Sequence, residues 1–138
     1  METTIRRIDM QDAWTIRHHV MWPDQPFDFI KLEDDPSGIH FGLFSDKDLV
    51  SVISLFISNE EAQFRKFATV EHEQGKGYGS VLLSYLLKEA KSYEVKRIWC
   101  NARENKINFY KKAGLQETKD RFVKAGKAYI IMEKNLDT

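Results

Sequence analysis

The chain has 138 residues, enough for one domain with a substantial core and too few for two ordinary domains, so we predict a single domain over residues 1–138. Hydrophobic residues make up 42% of the chain and charged residues 30%, which is typical of globular proteins. No apolar run approaches the ~18 residues that a membrane span requires, which argues against an integral membrane protein.

The formal net charge of zero conceals an asymmetry between the two halves of the chain. Residues 1–70 carry 7 basic and 12 acidic side chains, whereas residues 71–138 carry 14 basic and 9 acidic ones. A basic second half suits a cofactor with several phosphate charges, and an acidic first half would attract a cationic amine; uneven surface charge is the alternative explanation. No basic stripe with interleaved aromatics is present, so we expect no nucleic-acid partner.

Cysteine usage and the start of the chain indicate a reducing compartment. Cys100 is the only cysteine, so no intrachain disulfide forms, and residues 1–4 show no basic and apolar signal-peptide pattern. We therefore expect a cytoplasmic location.

The first predicted elements are a short strand and a helix. Ile5 and Ile8 belong to the strand, Asp9 is positioned to cap the helix, and Pro23 ends it. The next segment, residues 21–38, is irregular.

Aromatic and acidic side chains occupy this irregular segment. Trp22 and Phe27 either line a pocket or close the core beneath a loop. We expect the acidic run Glu33-Asp34-Asp35 to form a solvated turn.

The spacing of apolar residues predicts the remaining elements. These are a hairpin of strands 39–44 and 49–58, a strand over 64–70, a helix over 81–90, a strand over 97–101, a helix over 105–114, and strands 116–123 and 128–134 joined around Gly126. Strand 97–101 should be buried on both faces and, because a helix precedes it, should pair in parallel with strand 64–70. Asn105 is the candidate N-cap of its helix and Gly114 the candidate stop.

The stretch from residue 67 to 80 changes from strand to helix across three glycines. Gly75, Gly77 and Gly79 occupy alternate positions and leave little side chain over the backbone, so N–H groups at the helix start can converge on an anion. Lys76 adds a positive charge there. The spacing matches neither the nucleotide P-loop nor the dinucleotide fingerprint.

Two motifs in this half of the chain resemble those of one enzyme family. Residues 74–79, Gln-Gly-Lys-Gly-Tyr-Gly, resemble the Q/R-x-x-G-x-G/A diphosphate loop of the GNAT family of N-acetyltransferases, and residues 105–115, which contain Phe109-Tyr110, resemble a helix of that family. The resemblance implies an α/β fold with a mixed, mostly antiparallel sheet flanked by helices. It also implies a V-shaped splay between the two central parallel strands.

The resemblance implies a site for acetyl-CoA, used as a cosubstrate without a metal. The pantetheine arm would lie along the central strand, where a bulge opens the V, and the Thr69 N–H is the candidate donor to the thioester oxygen. The implied cofactor-binding residues are Phe67, Ala68, Thr69, Gln74, Gly75, Lys76, Gly77, Tyr78, Gly79, Ser80 and Asn105. For Asn105, capping its own helix is an equal alternative.

Tyr110 is the implied general acid. A departing thiolate resembles that of cysteine, whose pKa is about 8.5, and a tyrosine with a pKa of about 10 is close enough to deliver a proton to it. A buried core tyrosine is the alternative interpretation.

Candidates for the acceptor side of the reaction are less specific. The resemblance implies a glutamate base on the central strand in some members of the family, but the nearest position here is Gln63. Glu71 and His72 are the nearby candidate bases, and a solvated loop preceding the glycines is the alternative for both. Asn101 and Arg103 leave their strand toward the open side of the V and are candidate contacts to the acceptor. We interpret Cys100 as a small buried residue rather than a nucleophile, and we predict no metal site.

The sequence therefore predicts an N-acetyltransferase that moves an acetyl group from acetyl-CoA to a primary amine by direct transfer in a ternary complex. A small-molecule amine is favoured over a protein amine because no extended acidic or aromatic groove can be recognised, and a homodimer is left open. The alternatives are a noncatalytic acyl-CoA-binding or sensing module, a protein-amine acetyltransferase and a generic nucleotide-binding domain.

Overall fold

A computed structural model describes residues 2–136 of the chain. The predicted domain, residues 1–138, includes Met1, Asp137 and Thr138, which lie outside the described residues.

In residues 2–136, seven strands and three α-helices follow one another in the predicted order β-α-β-β-β-α-β-α-β-β. They are β1 Thr3–Ile8, α1 Met10–Met21, β2 Ile39–Ser45, β3 Asp48–Ser58, β4 Glu61–Thr69, α2 Tyr78–Ser92, β5 Arg97–Arg103, α3 Ile107–Lys112, β6 Gln116–Lys124 and β7 Lys127–Asn135. Four single 3-10 turns occupy the connections, at Phe27–Ile30, Asp35–Ser37, Glu71–Glu73 and Glu104–Lys106.

The strands form one sheet in the order β1-β2-β3-β4-β5-β7-β6. Within residues 2–136, β4 and β5 are the only parallel neighbours, and their ladder contains three pairs, the last of which joins Gln63 to Trp99. Beyond that pair the two strands diverge. The mixed, mostly antiparallel sheet with a splay between two central parallel strands is therefore confirmed.

A β-bulge interrupts β4 on its other side. The β3–β4 register passes from Val52 opposite Ala68 to Ser54 opposite Arg65, so that two residues of β4 face one residue of β3. One of them, Lys66, has a φ of 56°, in the left-handed region that a lysine seldom adopts. A bulge bends the strand that carries it, and here it lies where β4 has already left β5.

Helices α2 and α3 cover one face of the sheet, and α1 covers part of the other. The buried side chains of α2 recur at the spacing of one helical face and are Leu82, Leu83, Leu86, Leu87 and Ala90. Removing a leucine side chain of this kind from water contributes about 1.5–3 kcal/mol. This packing holds the first turn of α2 beside the end of β4.

The expectation that β5 is buried on both faces is wrong. Ile98, Cys100 and Ala102 are buried, whereas the alternate residue Asn101 is exposed. The reason is that α1 packs against β2, β3 and β4, so that β5 is covered only by the helices on the opposite face.

The predicted solvated turn at residues 33–35 is wrong for Asp35, whose exposed fraction is 1%. Its carboxylate accepts two hydrogen bonds from the fully buried Arg17 guanidinium, of 2.7 and 2.9 Å. It also accepts bonds of 2.8 Å from the Trp14 indole N–H and from the Leu32 backbone N–H. Burial alone would raise the pKa of Asp35, but these bonds outweigh it and lower the pKa from 3.8 to about 2.

The Arg17 guanidinium links this carboxylate to the strands. It donates to the Ser54 hydroxyl at 3.0 Å and to the Ile30 carbonyl at 3.2 Å. The His40 ring in turn lies 2.7 Å from the Ser54 hydroxyl and 3.0 Å from the Asp35 carbonyl oxygen. A buried ionic network therefore joins α1 and its loop to β2 and β3.

We predict that Asp35→Asn lowers the free energy of unfolding by about 3–5 kcal/mol, because it leaves the buried Arg17 charge uncompensated. Asp34→Asn is the matched control. Its carboxylate lies 3.5 Å from Arg65 in a pair whose two side chains are 34% and 52% exposed, so the loss should stay below about 1 kcal/mol. Urea unfolding at neutral pH measures both values, and equal losses would contradict the assigned role of Asp35.

The buried Arg17–Asp35 pair also predicts that the free energy of unfolding falls at low pH. Because the pKa of Asp35 in the folded state, about 2, lies below its ordinary value of 3.8, its contribution is complete above pH 3.8 and is lost as the pH falls toward 2. The stability of the wild-type protein should fall more steeply than that of Asp35→Asn over this interval.

Candidate active site

The loop between β4 and α2 adopts the backbone conformation that its glycines permit. Gly75 and Gly77 have φ values of 83° and 84°, and Gly77 is the N-cap of α2. A methyl group added at either position would meet no other atom within 4 Å, so the loop borders open space. Gly79 differs, because a methyl group there would lie 3.3 Å from the Phe67 ring. It therefore allows the helix to start close to β4.

The first turn of α2 has no side-chain cap. The first backbone bond that closes the helix runs from the Val81 N–H to the Gly77 carbonyl, at 3.1 Å, so the N–H groups of residues 78–80 have no partner within the helix. Unpaired N–H groups and the positive end of the helix dipole together form an anion-binding site.

Several predicted cofactor-binding side chains bond to the protein itself. The Gln74 side-chain amide donates to the Thr69 carbonyl at 2.9 Å, and the Tyr78 hydroxyl lies 3.4 Å from the Ser45 hydroxyl. Lys76 donates to Glu73 at 2.9 Å, and this bond raises the pKa of Lys76. These contacts shape the loop and leave mainly its backbone to meet a ligand.

A row of aromatic rings connects the glycine loop to Tyr110. The Phe67 ring lies beneath Gly79, and its centroid is 6.0 Å from that of Phe109, whose own centroid is 5.2 Å from that of Tyr110. Phe64 packs on the far side of Tyr110 at 5.9 Å. Burial in this row raises the pKa of the Tyr110 phenol well above its ordinary value of 10, so the hydroxyl keeps its proton at neutral pH.

The end of α3 holds Tyr110 in place. The Leu115 N–H donates to the Tyr110 carbonyl and the Gly114 N–H to the Lys111 carbonyl, with Gly114 at a φ of 98°. This is the Schellman arrangement of a helix C-terminus, so the predicted stop at Gly114 is confirmed.

The proposed N-cap role of Asn105 is wrong. Asn105 lies inside the 3-10 turn that precedes α3, it is exposed, and the residue at the N-cap of α3 is Lys106. The backbone turns at residue 104, earlier than the asparagine, which separates Asn105 from the helix start.

The gap between β4 and β5 is bordered by backbone groups of β4. The Val70 N–H donates to the Val50 carbonyl on β3 at 2.8 Å. Because successive N–H groups of a strand point to opposite neighbours, the Thr69 N–H is directed toward the gap. Ala68 turns its side chain to the other face, where it packs with Ile16 and Val52.

A cavity of about 330 Å³ lies between α2, α3 and the end of β7. It begins at Ser80 in the first turn of α2, and Phe109 forms part of its opposite wall. Its remaining lining includes four cationic side chains, Lys88, Lys91, Lys112 and Lys134. Several positive charges beside an uncapped helix start favour an anionic ligand.

The sequence analysis did not identify these lysines. Ser80, Ser84, Lys88 and Lys91 recur at intervals of four and three residues, which places them on one face of α2. That polar stripe is the signal that could have revealed the cavity wall. Lys112 and Lys134 come from other elements, and only the packing of α3 and β7 brings them to it.

The candidate bases lie in an exposed turn, and the candidate acceptor contacts lie on β5. Glu71 and His72 form the 3-10 turn before the glycines, and the His72 side chain is 78% exposed, 3.7 Å from Glu73. Asn101 and Arg103 lie on β5 beyond its last pair with β4, Asn101 exposed and Arg103 partly buried. Their predicted roles remain predictions.

Cys100 is 2% exposed, and burial raises the pKa of its thiol to about 12. A thiol of this kind stays protonated at neutral pH and packs as a small apolar side chain. The interpretation of Cys100 as a buried structural residue is therefore confirmed.

The aromatic residues after α1 form a surface cluster. Phe27 is 42% exposed and lies 5.4 Å from the His18 ring, and Phe29 is 53% exposed and lies 5.2 Å from the Trp22 ring. These exposures show that Phe27 does not close the core.

Residues 2–136 contain neither a candidate metal site nor a helix suited to span a membrane. No three His, Cys, Asp or Glu side chains in this range come together in a way that could hold a metal ion. None of the helices in the same range has the length and apolar character needed to cross a bilayer.

Comparison with known proteins identifies the family. A model of the acetyltransferase (GNAT) family matches residues 7–115. The uncharacterised N-acetyltransferase YitI of Bacillus subtilis (strain 168) is 28% identical over 144 residues, which cover 97% of each chain.

Two solved structures share the fold. The ribosomal-protein-S18-alanine N-acetyltransferase from Escherichia coli has a TM-score of 0.82 at 18% identity, covering 99% of this chain and 96% of that one. An aminoglycoside 6'-N-acetyltransferase complexed with coenzyme A has a TM-score of 0.76 at 16% identity, covering 96% and 97%.

The chain belongs to the GNAT family of acetyltransferases, because the family match spans most of its length. It is therefore an acetyl-CoA-dependent acyltransferase, and the predicted family, fold and enzyme class are confirmed.

We predict that Gly77→Glu raises the dissociation constant for coenzyme A at least tenfold, since it places a side chain and a negative charge where the loop would receive phosphates. Isothermal titration calorimetry measures this constant.

Gly126→Glu is the matched control for that measurement. Gly126 also has a positive φ, 74°, and also borders open space, but it lies in the turn between β6 and β7. The two variants share the backbone strain, so only the loss of affinity should distinguish them. Unaltered affinity in Gly77→Glu would count against a diphosphate site at this loop.

Proposed function

We propose that this protein is an N-acetyltransferase that transfers the acetyl group of acetyl-CoA directly to a primary amine within a ternary complex. The observation that carries the proposal is the uncapped, glycine-bordered start of α2, joined by a row of aromatic rings to a protonated Tyr110. The reaction needs an anion site for the cosubstrate and a proton donor. The start of α2 is the proposed anion site, and Tyr110, at the other end of the aromatic row, is the proposed donor.

Backbone groups of the glycine loop, of the first turn of α2 and of β4 are the proposed contacts to coenzyme A. The open space at Gly75 and Gly77 and the N–H groups of the first turn of α2 suit a diphosphate. The Thr69 N–H, directed into the gap between β4 and β5, is the proposed donor to the thioester oxygen. The proposed binding residues are those predicted from the sequence, with Gln74 and Tyr78 acting mainly by shaping the loop.

In the transfer step the amine nitrogen forms a bond to the acetyl carbon, and the bond from that carbon to sulfur breaks. The departing thiolate, whose conjugate acid has a pKa of about 8.5, is a weaker base than tyrosinate, so a proton transfer from Tyr110 has to be coupled to the breaking of the carbon–sulfur bond. Tyr110 is the proposed donor, because burial keeps its phenol protonated and its ring ends the aromatic row that starts at the glycine loop. The attacking amine must first lose its own proton, since only the neutral amine is a nucleophile, and its nitrogen loses a second proton as the amide forms, which balances the proton that Tyr110 gives to sulfur.

A small-molecule amine is the proposed acceptor class. The solved structures that share the fold include one enzyme named for a ribosomal protein and one named for an aminoglycoside, so the fold does not choose between protein and small-molecule acceptors. Asp34 and Asp35, in the acidic run before β2, are both paired with arginines. These two carboxylates are therefore already bound by cations of the protein, which disfavours them as contacts for a basic peptide.

We predict that Tyr110→Phe lowers kcat by at least about 100-fold and leaves the dissociation constant of coenzyme A within twofold. The substitution removes the proton donor and retains the aromatic ring, so it should affect proton transfer and not cofactor binding. Tyr93→Phe, at the exposed C-terminus of α2, is the control and should retain wild-type kcat. An unchanged kcat in Tyr110→Phe would remove Tyr110 from the mechanism.

The pH profile gives a second test of the same residue. Because the pKa of Tyr110 is raised above 10, wild-type kcat should show no decline between pH 8 and pH 10, whereas kcat/KM should rise with the fraction of neutral amine. A noncatalytic sensing module would instead bind coenzyme A and acetylate none of a panel of primary amines at any pH.

A further inference from the structure

Lys66 occupies an unusual position on β4. It lies at the bulge, with a φ of 56°, and is partly buried rather than extended into solvent. Its ammonium has no ion-pair or hydrogen-bond partner in residues 2–136. A long cationic side chain held partly buried without a direct ion-pair or hydrogen-bond partner is costly, which makes it a candidate contact for a ligand.

The charges of three cations act on Lys66. Burial lowers the pKa of Lys66, and the charges of Arg17, Arg65 and Lys124 lower it further, whereas the charge of Asp35 opposes them. These groups come from α1, from β4 and from the end of β6. The tip of the β6–β7 hairpin therefore brings a positive charge close to the bulge of β4.

The nearby carboxylates do not neutralise this cluster. Asp35 is held by the Arg17 guanidinium through two bonds of 2.7 and 2.9 Å, and Asp34 lies 3.5 Å from Arg65. Each acid is thus matched to an arginine. The two lysines of the cluster, Lys66 and Lys124, have no carboxylate within ion-pair distance among the described residues.

The bulge lies near the proposed site of transfer. Lys66 precedes Thr69 by three residues on β4, a separation of roughly 10 Å at about 3.3 Å per strand residue. The Lys66 side chain shares its surroundings with Arg17 and Arg65, on the face that α1 covers, whereas Phe67 packs on the opposite face with Phe109. An acceptor entering the gap between β4 and β5 from the α1 face would therefore pass beside Lys66.

We propose that the acceptor is an amine that also carries a carboxylate, as an amino acid does, and that Lys66 binds that carboxylate at the bulge of β4. This inference rests on the proposed acetyl transfer and narrows its substrate class. A polycationic amine would bring its extra charge into a cluster with two unmatched lysines, which disfavours it. The Asp35 carboxylate is already bonded to Arg17, so a substrate carboxylate would supply the direct ion-pair partner that Lys66 lacks among the described residues.

The test compares amines that differ only in the carboxylate. Suitable pairs are β-alanine with ethylamine, L-phenylalanine with phenethylamine, and L-lysine with 1,5-diaminopentane, each assayed with acetyl-CoA and the full-length protein. We expect kcat/KM to be at least tenfold higher for the carboxylate member of the preferred pair, as one charge-assisted contact provides. Equal values, or a preference for the amines without a carboxylate, would overturn the inference while leaving the acetyl transfer intact.

Lys66→Met tests the residue itself, because methionine retains most of the aliphatic length without the charge. The ratio of kcat/KM within each pair should fall toward one, chiefly through a higher KM for the carboxylate member. Lys96→Met is the matched control, since Lys96 pairs with Glu60 at the opposite end of β4 and β5, and it should retain the wild-type ratio. A ratio that survives in Lys66→Met would exclude Lys66 as the carboxylate contact.

A measurement on the wild-type protein keeps the inference testable if Lys66→Met does not fold. Propionate, which has the carboxylate but no amine, should inhibit competitively against the amine, and propionamide should inhibit at least tenfold more weakly. Equal inhibition by the two would contradict the carboxylate site. Failure to acetylate any amine in the panel, with coenzyme A still bound, would instead contradict the proposed function.

Discussion

The early parting of β4 from β5 is the constraint on which the rest of the structure depends. Their parallel ladder ends after three pairs, so the following N–H groups of β4 face a gap instead of a strand. The chain then turns at Gly77 into a helix whose first turn has no side-chain cap. Backbone N–H donors thus border both the gap and the loop beside it. A ligand with a thioester and a diphosphate has acceptor oxygens for both groups of donors.

The charges of the chain are distributed differently from what the two halves of the sequence suggest. In the acidic first half, the Asp34 and Asp35 side chains are paired with arginines. The buried Arg17–Asp35 network instead fixes the loop after α1 against β2 and β3. Within residues 2–136, Lys66 and Lys124 have no ion-pair partner. The charges near the bulge of β4 therefore follow from pairing geometry rather than from composition.

Local patterns sufficed for the fold and for the glycine loop. The change of apolar period across Gly75 and Gly77 and the ordered motifs led to the correct element order, and glycine at a positive φ is a strong local signal. Long-range pairing escaped prediction: the burial of Asp35 depends on Arg17, eighteen residues away in the chain. Lysine has no preference for the left-handed φ of Lys66, so the residue type at this position does not predict the bulge.

The predicted N-cap role of Asn105 was wrong for a third reason, because a 3-10 turn moved the start of α3 by one residue.

The proposed placement of the diphosphate at the start of α2 and of the thiol beside Tyr110 is best tested by a crystal structure of the protein bound to coenzyme A. We expect diphosphate oxygens on the backbone N–H groups of residues 77–80. We also expect the thiol sulfur within roughly 4 Å of the Tyr110 hydroxyl, which is the reach of a proton transfer to sulfur. A diphosphate bound away from the start of α2, or a sulfur separated from the phenol by the width of another side chain, would contradict it.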